Sequence, residues 1–349
     1  MDGWINVPQK HKTLNKKKIW IKNEAKEGLN KDELDDKNIS DINDINDISE
    51  IYEKQKKKTY DKNKYVEHVH NGVKKIMNSL EKSVFFENFK KKFKEIKKEN
   101  IIIQSAICLG LGSLTDINLN NKNACMYQLA FILLVSKNYN IKHIYIYDPK
   151  ISNTDLNVYK ILNVQVLSSY TSISKQLAEN EKEITVCNLK ENENVLLFMP
   201  HCDISLYGEV LYNIFIYEKL SYPNMNFLLI PEKTIYIGNS FDYYKDHIYQ
   251  HKPFGIPSFA IELLQKNEQS ENIKWDITHL NKVKKNFKYS HFIFYILNFL
   301  NEIKFPICSE QVHAFNDLSI ITFQKLPDQF IFWLNIYNSL LAHTTGKKK

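Results

Sequence analysis

The sequence lacks the long apolar run that a membrane-spanning helix requires, which is about 18 to 20 residues. Its longest apolar stretch, Ala124 to Val135, has the length of about three helical turns and suits a helix inside a folded domain. The amino terminus shows no basic segment followed by an apolar one, and so predicts no secretory signal. We therefore expect no membrane partner, and a location in the cytoplasm, the nucleus or both.

Cysteine is scarce, and its spacing does not favour cross-links or metal binding. The five cysteines include no Cys-x-x-Cys pair. An odd number without such a pair argues against both a disulfide framework and a zinc ribbon. We therefore expect a reducing compartment and no metal site.

The basic charge is unevenly distributed. A formal net charge of +7 would indicate a nucleic-acid partner if the lysines clustered on a folded surface. Much of the charge comes instead from lysine-rich stretches in the first hundred residues and from the tail Lys347-Lys348-Lys349. We therefore do not expect nucleic acid to be the partner.

Aromatic residues are few between positions 24 and 62, where Asp, Asn and Lys dominate. Such a segment buries too little apolar surface to offset the entropy lost on ordering. We predict that residues 1–64 form a basic, largely disordered arm with at most transient helix, through which protein partners would bind. From Tyr65 onwards, apolar residues return at helical spacing and predict two helices before the first strand.

The stretch from Ile101 to Pro149 predicts the fold. An apolar run ends at Gly110-Leu111-Gly112-Ser113, a second run ends at Asp148-Pro149, and the apolar stretch between them suits a crossover helix. This order predicts a Rossmann-like, doubly wound α/β domain with a mostly parallel sheet and helices on both faces. Ligands of such sheets bind beyond the carboxyl ends of the strands.

Two later strands end in the same way, at Pro200-His201-Cys202-Asp203 and at Gly238-Asn239-Ser240. They complete a predicted domain over residues 65–325, with a core at 100–245. We predict an insertion at 250–308, a helix from Phe287 to Ile303, a last strand at 318–323, and a carboxyl-terminal helix with a basic tail at 326–349.

The residues that follow these strands form the predicted site. The carboxyl ends of parallel strands share one sheet edge, so we expect these residues to converge there. We predict that His201 acts as a catalytic base and that the remaining residues bind a ligand. The predicted ligand-binding residues are Gly110, Gly112, Ser113, Asp148, Cys202, Asn239 and Ser240.

Each of these residues also has a structural interpretation. Gly110 and Gly112 lack the third glycine of the dinucleotide fingerprint, so they also suit a plain tight turn. Asp148 suits either ribose hydroxyls or a cap on the turn that contains Pro149. His201 could act as a base and Cys202 as a thiolate, both could ligate iron, or His201 could order the loop by hydrogen bonding. Because adjacent residues on an extended chain point in opposite directions, they seldom bind the same ion.

Several motifs together carry a resemblance to a known family. The sequence resembles the SRR-like domain family, named for "sensitivity to red light reduced", and weaker matches are Gly3-Trp4 and the segment 314–317. The resemblance implies a Rossmann-like domain connected with light signalling, regulation of haem biosynthesis or a microtubule-related phenotype. The motifs that carry it are Cys108-Leu109-Gly110-Leu111-Gly112-Ser113, Tyr127-Gln128-Leu129-Ala130, Tyr147-Asp148-Pro149, Phe198-Met199-Pro200-His201-Cys202 and Ile237-Gly238-Asn239-Ser240-Phe241.

The resemblance favours a regulatory function over the alternatives. We expect a protein whose crevice binds a nucleotide-like small molecule and whose role is linked to haem biosynthesis. One alternative is a methyltransferase-like enzyme that uses S-adenosylmethionine with His201 as base, and another is a scaffold with a vestigial pocket. A nucleotide-like or S-adenosylmethionine-like ligand is favoured over haem.

Overall fold

The computed structural model describes residues 45–97, 101–116, 118–169, 189, 193–216, 229–247, 254–266 and 277–345. Eleven α-helices lie in these ranges. They are α1 (Ile45–Glu81), α2 (Val84–Ile96), α3 (Leu119–Tyr139), α4 (Asn153–Ile161), α5 (Ile204–Ile216), α6 (Phe241–Asp246), α7 (Ser258–Lys266), α8 (Ile277–Asn286), α9 (Tyr289–Ile296), α10 (Val312–Phe315) and α11 (Gln329–Thr345).

The strands form one seven-stranded sheet in the order β3-β2-β1-β4-β5-β7-β6. The first five in that order are parallel, and β7 runs antiparallel to both β5 and β6. This confirms the predicted Rossmann-like α/β class and places the reversal of strand order between β1 and β4. The strands are β1 (Ile103–Leu109), β2 (His143–Tyr147), β3 (Gln165–Val166), β4 (Asn194–Met199), β5 (Thr234–Asn239), β6 (Leu300–Lys304) and β7 (Leu318–Phe323).

The sheet separates two buried apolar clusters. Alternate residues of a strand point to opposite faces, so Ala106 and Cys108 of β1 join one cluster while Ile107 and Leu109 join the other. Helices α1 to α4 and α10 contribute to the first cluster, and α5 to α9 and α11 contribute to the second. Helices therefore cover both faces, as the sequence predicts.

The two predicted helices before the sheet are α1 and α2. The Ser83 hydroxyl caps α2 by accepting the N–H of Phe86 at 3.2 Å, which ends one helix and begins the next. The chain divides into two units between Asp61 and Lys62. Residues 45–64, which we assigned to the arm, have a helical backbone within α1, whereas residues 1–44 of the predicted arm lie outside the described residues.

The region 250–308 differs from its prediction. The expected helix from Phe287 to Ile303 is wrong, because only Tyr289–Ile296 is α-helical and Leu300–Lys304 forms the edge strand β6. Pairing with β7 overrides the local apolar pattern at Leu300–Lys304 and makes this segment an edge strand of the sheet. The sequence also predicts a helix from Ser172 to Glu181, and these residues lie outside the described ranges.

The crossover helix α3 is longer than predicted and lies at the centre of one aromatic cluster. The Asn118 side chain caps its first turn, and Asn140, at φ 54°, ends it in the left-handed conformation. The Phe131 ring has centroid distances of 4.9 to 5.9 Å to five other phenylalanine rings. These rings belong to Phe85, Phe89, Phe198, Phe305 and Phe315. Within the described part of the chain, no helix is both long and apolar enough to cross a membrane.

Replacing Phe131 with alanine tests this packing. Because Phe131 is fully buried, we expect Phe131→Ala to lower the free energy of unfolding by about 3 to 5 kcal/mol. Urea denaturation followed by circular dichroism measures the loss. Leu119→Ala on the same helix is the control, since Leu119 is 68% exposed, and it should change stability by less than about 0.5 kcal/mol. Equal effects of the two variants would contradict the described core.

Candidate functional site

The predicted site residues meet at one edge of the sheet. Leu109 pairs with Tyr147 at the ends of β1 and β2, and Met199 pairs with Gly238 at the ends of β4 and β5. All four strands are parallel, so the residues that follow them emerge at the same edge. The predicted convergence is confirmed, whereas a ligand-binding role for these residues stays a prediction.

The glycine turn after β1 is held by the end of β2. Gly110 and Gly112 have φ angles of 76° and 81°, which glycine adopts without strain. The N–H of Gly112 donates to Asp148 Oδ2 at 2.8 Å. The other oxygen of Asp148 accepts the N–H of Lys150 at 2.7 Å. Asp148 therefore caps its own turn, and its half-buried carboxylate also lies directly against the glycine turn.

Two thiols pack against these glycines. A β-carbon at Gly110 would collide with the sulfur of Cys202, and one at Gly112 would lie 2.8 Å from that of Cys125. Burial, followed by the charge of Asp148, raises the pKa of each thiol to about 12. Both thiols are therefore protonated at pH 7, so Cys202 is not the thiolate that the sequence allowed.

Ser113 connects the glycine turn to helix α4. Its hydroxyl donates to Asp155 Oδ2 at 2.7 Å, and the same oxygen accepts the N–H of Ser152 at 2.8 Å. Ser152 and Asp155 form the capping box that begins α4. Asp155 is fully buried, so its carboxylate joins the glycine turn to α4 inside the domain.

His201 orders the loop after β4. It has a φ of 55°, and its N–H donates to Asn239 Oδ1 at 3.0 Å. Its Nε2 lies 3.3 Å from the carbonyl oxygen of Ala314, which also accepts the buried Gln128 Nε2 at 3.0 Å. Since a carbonyl only accepts, Nε2 of His201 carries the proton in this contact. Desolvation of the ring lowers the pKa of His201, so the imidazole is neutral at pH 7.

The hydroxyl of Tyr207 holds the ends of β4 and β5 together. This side chain from α5 is fully buried. Its hydroxyl donates to the carbonyl oxygen of Met199 and accepts the N–H groups of Cys202 and Asn239, each at 3.2 Å. Sequence reasoning missed Tyr207, because nothing in the local pattern marks a helical tyrosine that reaches two strand ends.

Ser240 has a partner on the edge strand. Its hydroxyl donates to Glu302 Oε1 at 2.7 Å, and the N–H groups of Phe241 and Asp242 donate to the same carboxylate at 3.1 and 3.3 Å. Glu302 and Ser240 therefore begin α6 together. Asn239, its neighbour, donates through Nδ2 to the hydroxyl of Tyr244 at 3.0 Å.

The described residues contain no group of three or more His, Cys, Asp or Glu side chains that could hold a metal ion. His201 and Cys202 contact different neighbours, since the Cys202 sulfur donates to the carbonyl oxygen of Leu109 at 3.4 Å.

An apolar groove of about 380 Å³ lies away from the predicted site, and none of the predicted site residues lines it. It is lined by Phe254, Phe294, Tyr295, Asn298, Phe299, Pro327, Phe332, Asn335, Ile336, Ser339 and Leu340.

The glycine turn predicts a severe effect of valine at position 112. Gly112→Val introduces a β-branched side chain at positive φ and forces it against the Cys125 sulfur, so we expect the melting temperature to fall by several degrees. The matched control is Gly72→Ala in α1, where the added β-carbon meets only the flexible end of Met126. If Gly112→Val keeps the melting temperature of the parent, the turn does not require glycine.

The Tyr207 hydroxyl predicts a second measurable effect. Tyr207→Phe removes one donor and one acceptor and leaves three backbone groups, one buried and two part-buried, without this partner. We therefore expect it to destabilise the fold by about 1 to 3 kcal/mol. Chemical denaturation measures the change. Tyr243→Phe is the control, since Tyr243 is 53% exposed. A loss no larger than that of the control would show that the hydroxyl is dispensable.

The raised pKa of Cys202 predicts slow alkylation. Because the thiolate is the reacting species and the pKa is about 12, iodoacetamide at pH 8 should modify Cys202 at least about tenfold more slowly in the folded protein than in urea. Peptide mapping by mass spectrometry follows the reaction. Equal rates in the two states would mean that the thiol is exposed and its pKa ordinary.

Comparison with known proteins supports the family resemblance that the sequence motifs indicate. A curated "SRR1-like protein" from Mus musculus is 27% identical over 137 residues, which are 39% of this chain and 43% of the mouse protein. The match thus spans less than half the length of that relative, and no solved structure matches the chain. The family model of the SRR1 domain matches residues 85–322, more than half of the chain. The chain therefore belongs to the SRR1 domain family.

Proposed function

We propose that this chain is a regulatory protein whose crevice, at the carboxyl ends of β1, β2, β4 and β5, binds a nucleotide-like small molecule. One observation carries the proposal: the glycine turn, the Asp148 carboxylate and the loop at Cys202 meet where the strand order reverses. In open α/β sheets, ligand crevices lie at that position.

The chemistry of the rim supports binding rather than catalysis. A nucleophile needs a lowered pKa or an adjacent base, but the pKa of the Cys202 thiol is raised to about 12. His201 engages Nε2 with the carbonyl oxygen of Ala314 and its backbone N–H with Asn239. Both residues thus have structural partners, which supports a sensor over an enzyme.

We propose a connection with the regulation of haem biosynthesis on the basis of the family resemblance. The state of the Cys202 thiol supports a regulator of the pathway rather than a carrier of haem. Iron ligation by sulfur needs a thiolate, whereas the Cys202 thiol is protonated.

The alternative is a methyltransferase-like enzyme that binds S-adenosylmethionine in the same crevice. The contact between Gly112 and Asp148 supports either ligand, because both contain a ribose whose hydroxyls a carboxylate accepts. Turnover separates the two proposals: methyl transfer to any acceptor in a broad substrate screen favours the enzyme, and saturable binding without turnover favours the sensor. Absence of binding would leave a scaffold with a vestigial pocket.

Native mass spectrometry of the protein purified from its own cell tests the proposal. We expect a retained small molecule, and we expect Asp148→Asn to lower the retained fraction at least about tenfold, because the amide weakens hydrogen bonds from ligand hydroxyls. Asparagine still accepts the N–H of Gly112, so the melting temperature should change little.

The control for this experiment is Glu262→Gln on α7, which also removes one carboxylate charge but from an exposed surface position. It should retain as much ligand as the parent chain. Retention that Asp148→Asn leaves unchanged would contradict the proposed crevice.

A further inference from the structure

We propose that the ligand of this crevice is a nucleoside-like molecule, neutral or cationic, that carries no phosphate at the glycine turn. This inference rests on the proposed function and narrows its ligand class. Two observations support it. The backbone N–H groups that would bind a phosphate already donate to the protein, and the charged groups around them are mainly carboxylates.

The glycine turn offers its central N–H to an acid of the protein. A phosphate at such a turn is held by backbone N–H groups and by the positive end of the following helix. Here the N–H of Gly112 donates to Asp148 and that of Gly110 to the carbonyl oxygen of Tyr147 at 3.0 Å. A phosphate would have to displace a carboxylate and then lie beside it.

The amino terminus of α3 is likewise occupied. Asn118 Oδ1 accepts the N–H groups of Asn120 and Asn121 at 3.0 and 3.4 Å. Asp116 Oδ1 accepts the N–H of Asn118 at 2.8 Å, which adds a negative charge at this helix end. The positive end of the helix dipole is thus offset by the chain itself, and it offers little to an anion.

Acidic groups dominate the field at the turn. The charges of Asp148, Asp116 and Asp155 all act on the Cys125 thiol, and those of Asp148 and Asp203 act on the Cys202 thiol. A phosphate would bring a further negative charge among these carboxylates, and repulsion within a partly buried crevice is weakly screened.

Phosphate sites use compensating cations, and the cation best suited to clamp a phosphate is absent from the sequence. The sequence contains no arginine, so no guanidinium can clamp a phosphate with two parallel hydrogen bonds. Lys122, in the first turn of α3, donates to the hydroxyl of Tyr65 at 2.8 Å and lies 4.9 Å from the centroid of its ring. This lysine is therefore directed to α1 rather than to the glycine turn.

Asp155 adds a further acid behind the turn. It is fully buried, and its Oδ2 accepts the hydroxyl of Ser113 at 2.7 Å and the N–H of Ser152 at 2.8 Å. A ligand in the crevice does not reach this carboxylate, but its charge adds to the negative field that a phosphate at the turn would meet.

Isothermal titration calorimetry on the full chain tests the inference, in buffer without magnesium. The probes are the four common ribonucleosides and their four 5′-monophosphates. For at least one base, we expect the nucleoside to bind at least about tenfold more tightly than its monophosphate. In Asp116→Asn/Asp148→Asn this preference should fall by about tenfold, because both amides keep their hydrogen bonds without the charge. Glu262→Gln is the control and should keep the preference.

The outcomes separate this inference from the proposed function. If a monophosphate binds as tightly as its nucleoside or more tightly, the ligand class is wrong while a ligand-binding crevice stands. An unchanged preference in the double variant would also overturn the inference, since the acids would then not cause it. If none of the eight probes binds, the inference is contradicted, and the molecule retained in native mass spectrometry decides the proposed function separately.

Discussion

The hydrogen bond from the N–H of Gly112 to Asp148 is the contact on which the crevice depends. It joins the ends of β1 and β2, and it holds a turn whose two glycines have positive φ angles. Because the bond brings a carboxylate against the turn, the same contact that shapes the crevice also sets its charge. The kind of turn that binds a phosphate in other α/β folds therefore lies against a carboxylate of the protein here.

The other half of the crevice is held by polar contacts that cross between elements. The Tyr207 hydroxyl joins the ends of β4 and β5, and the Ala314 carbonyl oxygen accepts hydrogen bonds from both Gln128 and His201. These contacts join α3, α5 and α10 to the strand ends. The crevice is therefore supported by helices from both faces of the sheet, and destabilising either apolar cluster should disturb it.

The fold was predictable from sequence because its strands are continuous apolar runs with abrupt polar ends, and parallel strands bring those ends to one edge. The convergence of Asp148 with Gly112 followed from that rule alone. The edge strand at Leu300–Lys304 was not predictable, because its pairing with β7 decides its structure. The roles of Tyr207 and Glu302 were not predictable for the same reason. They arise from contacts between residues distant in sequence, which no local spacing encodes.

Chemical-shift mapping of backbone amides tests the central claim, which is that ligands bind at the reversal of strand order. With the ribonucleoside that binds most tightly in calorimetry added to the ¹⁵N-labelled chain, the account predicts shifts at Gly110, Gly112, Ser113 and Asn239 that saturate together. Shifts confined instead to the apolar groove, at Phe254, Phe332 and Leu340, would contradict the account and place the ligand site in that groove.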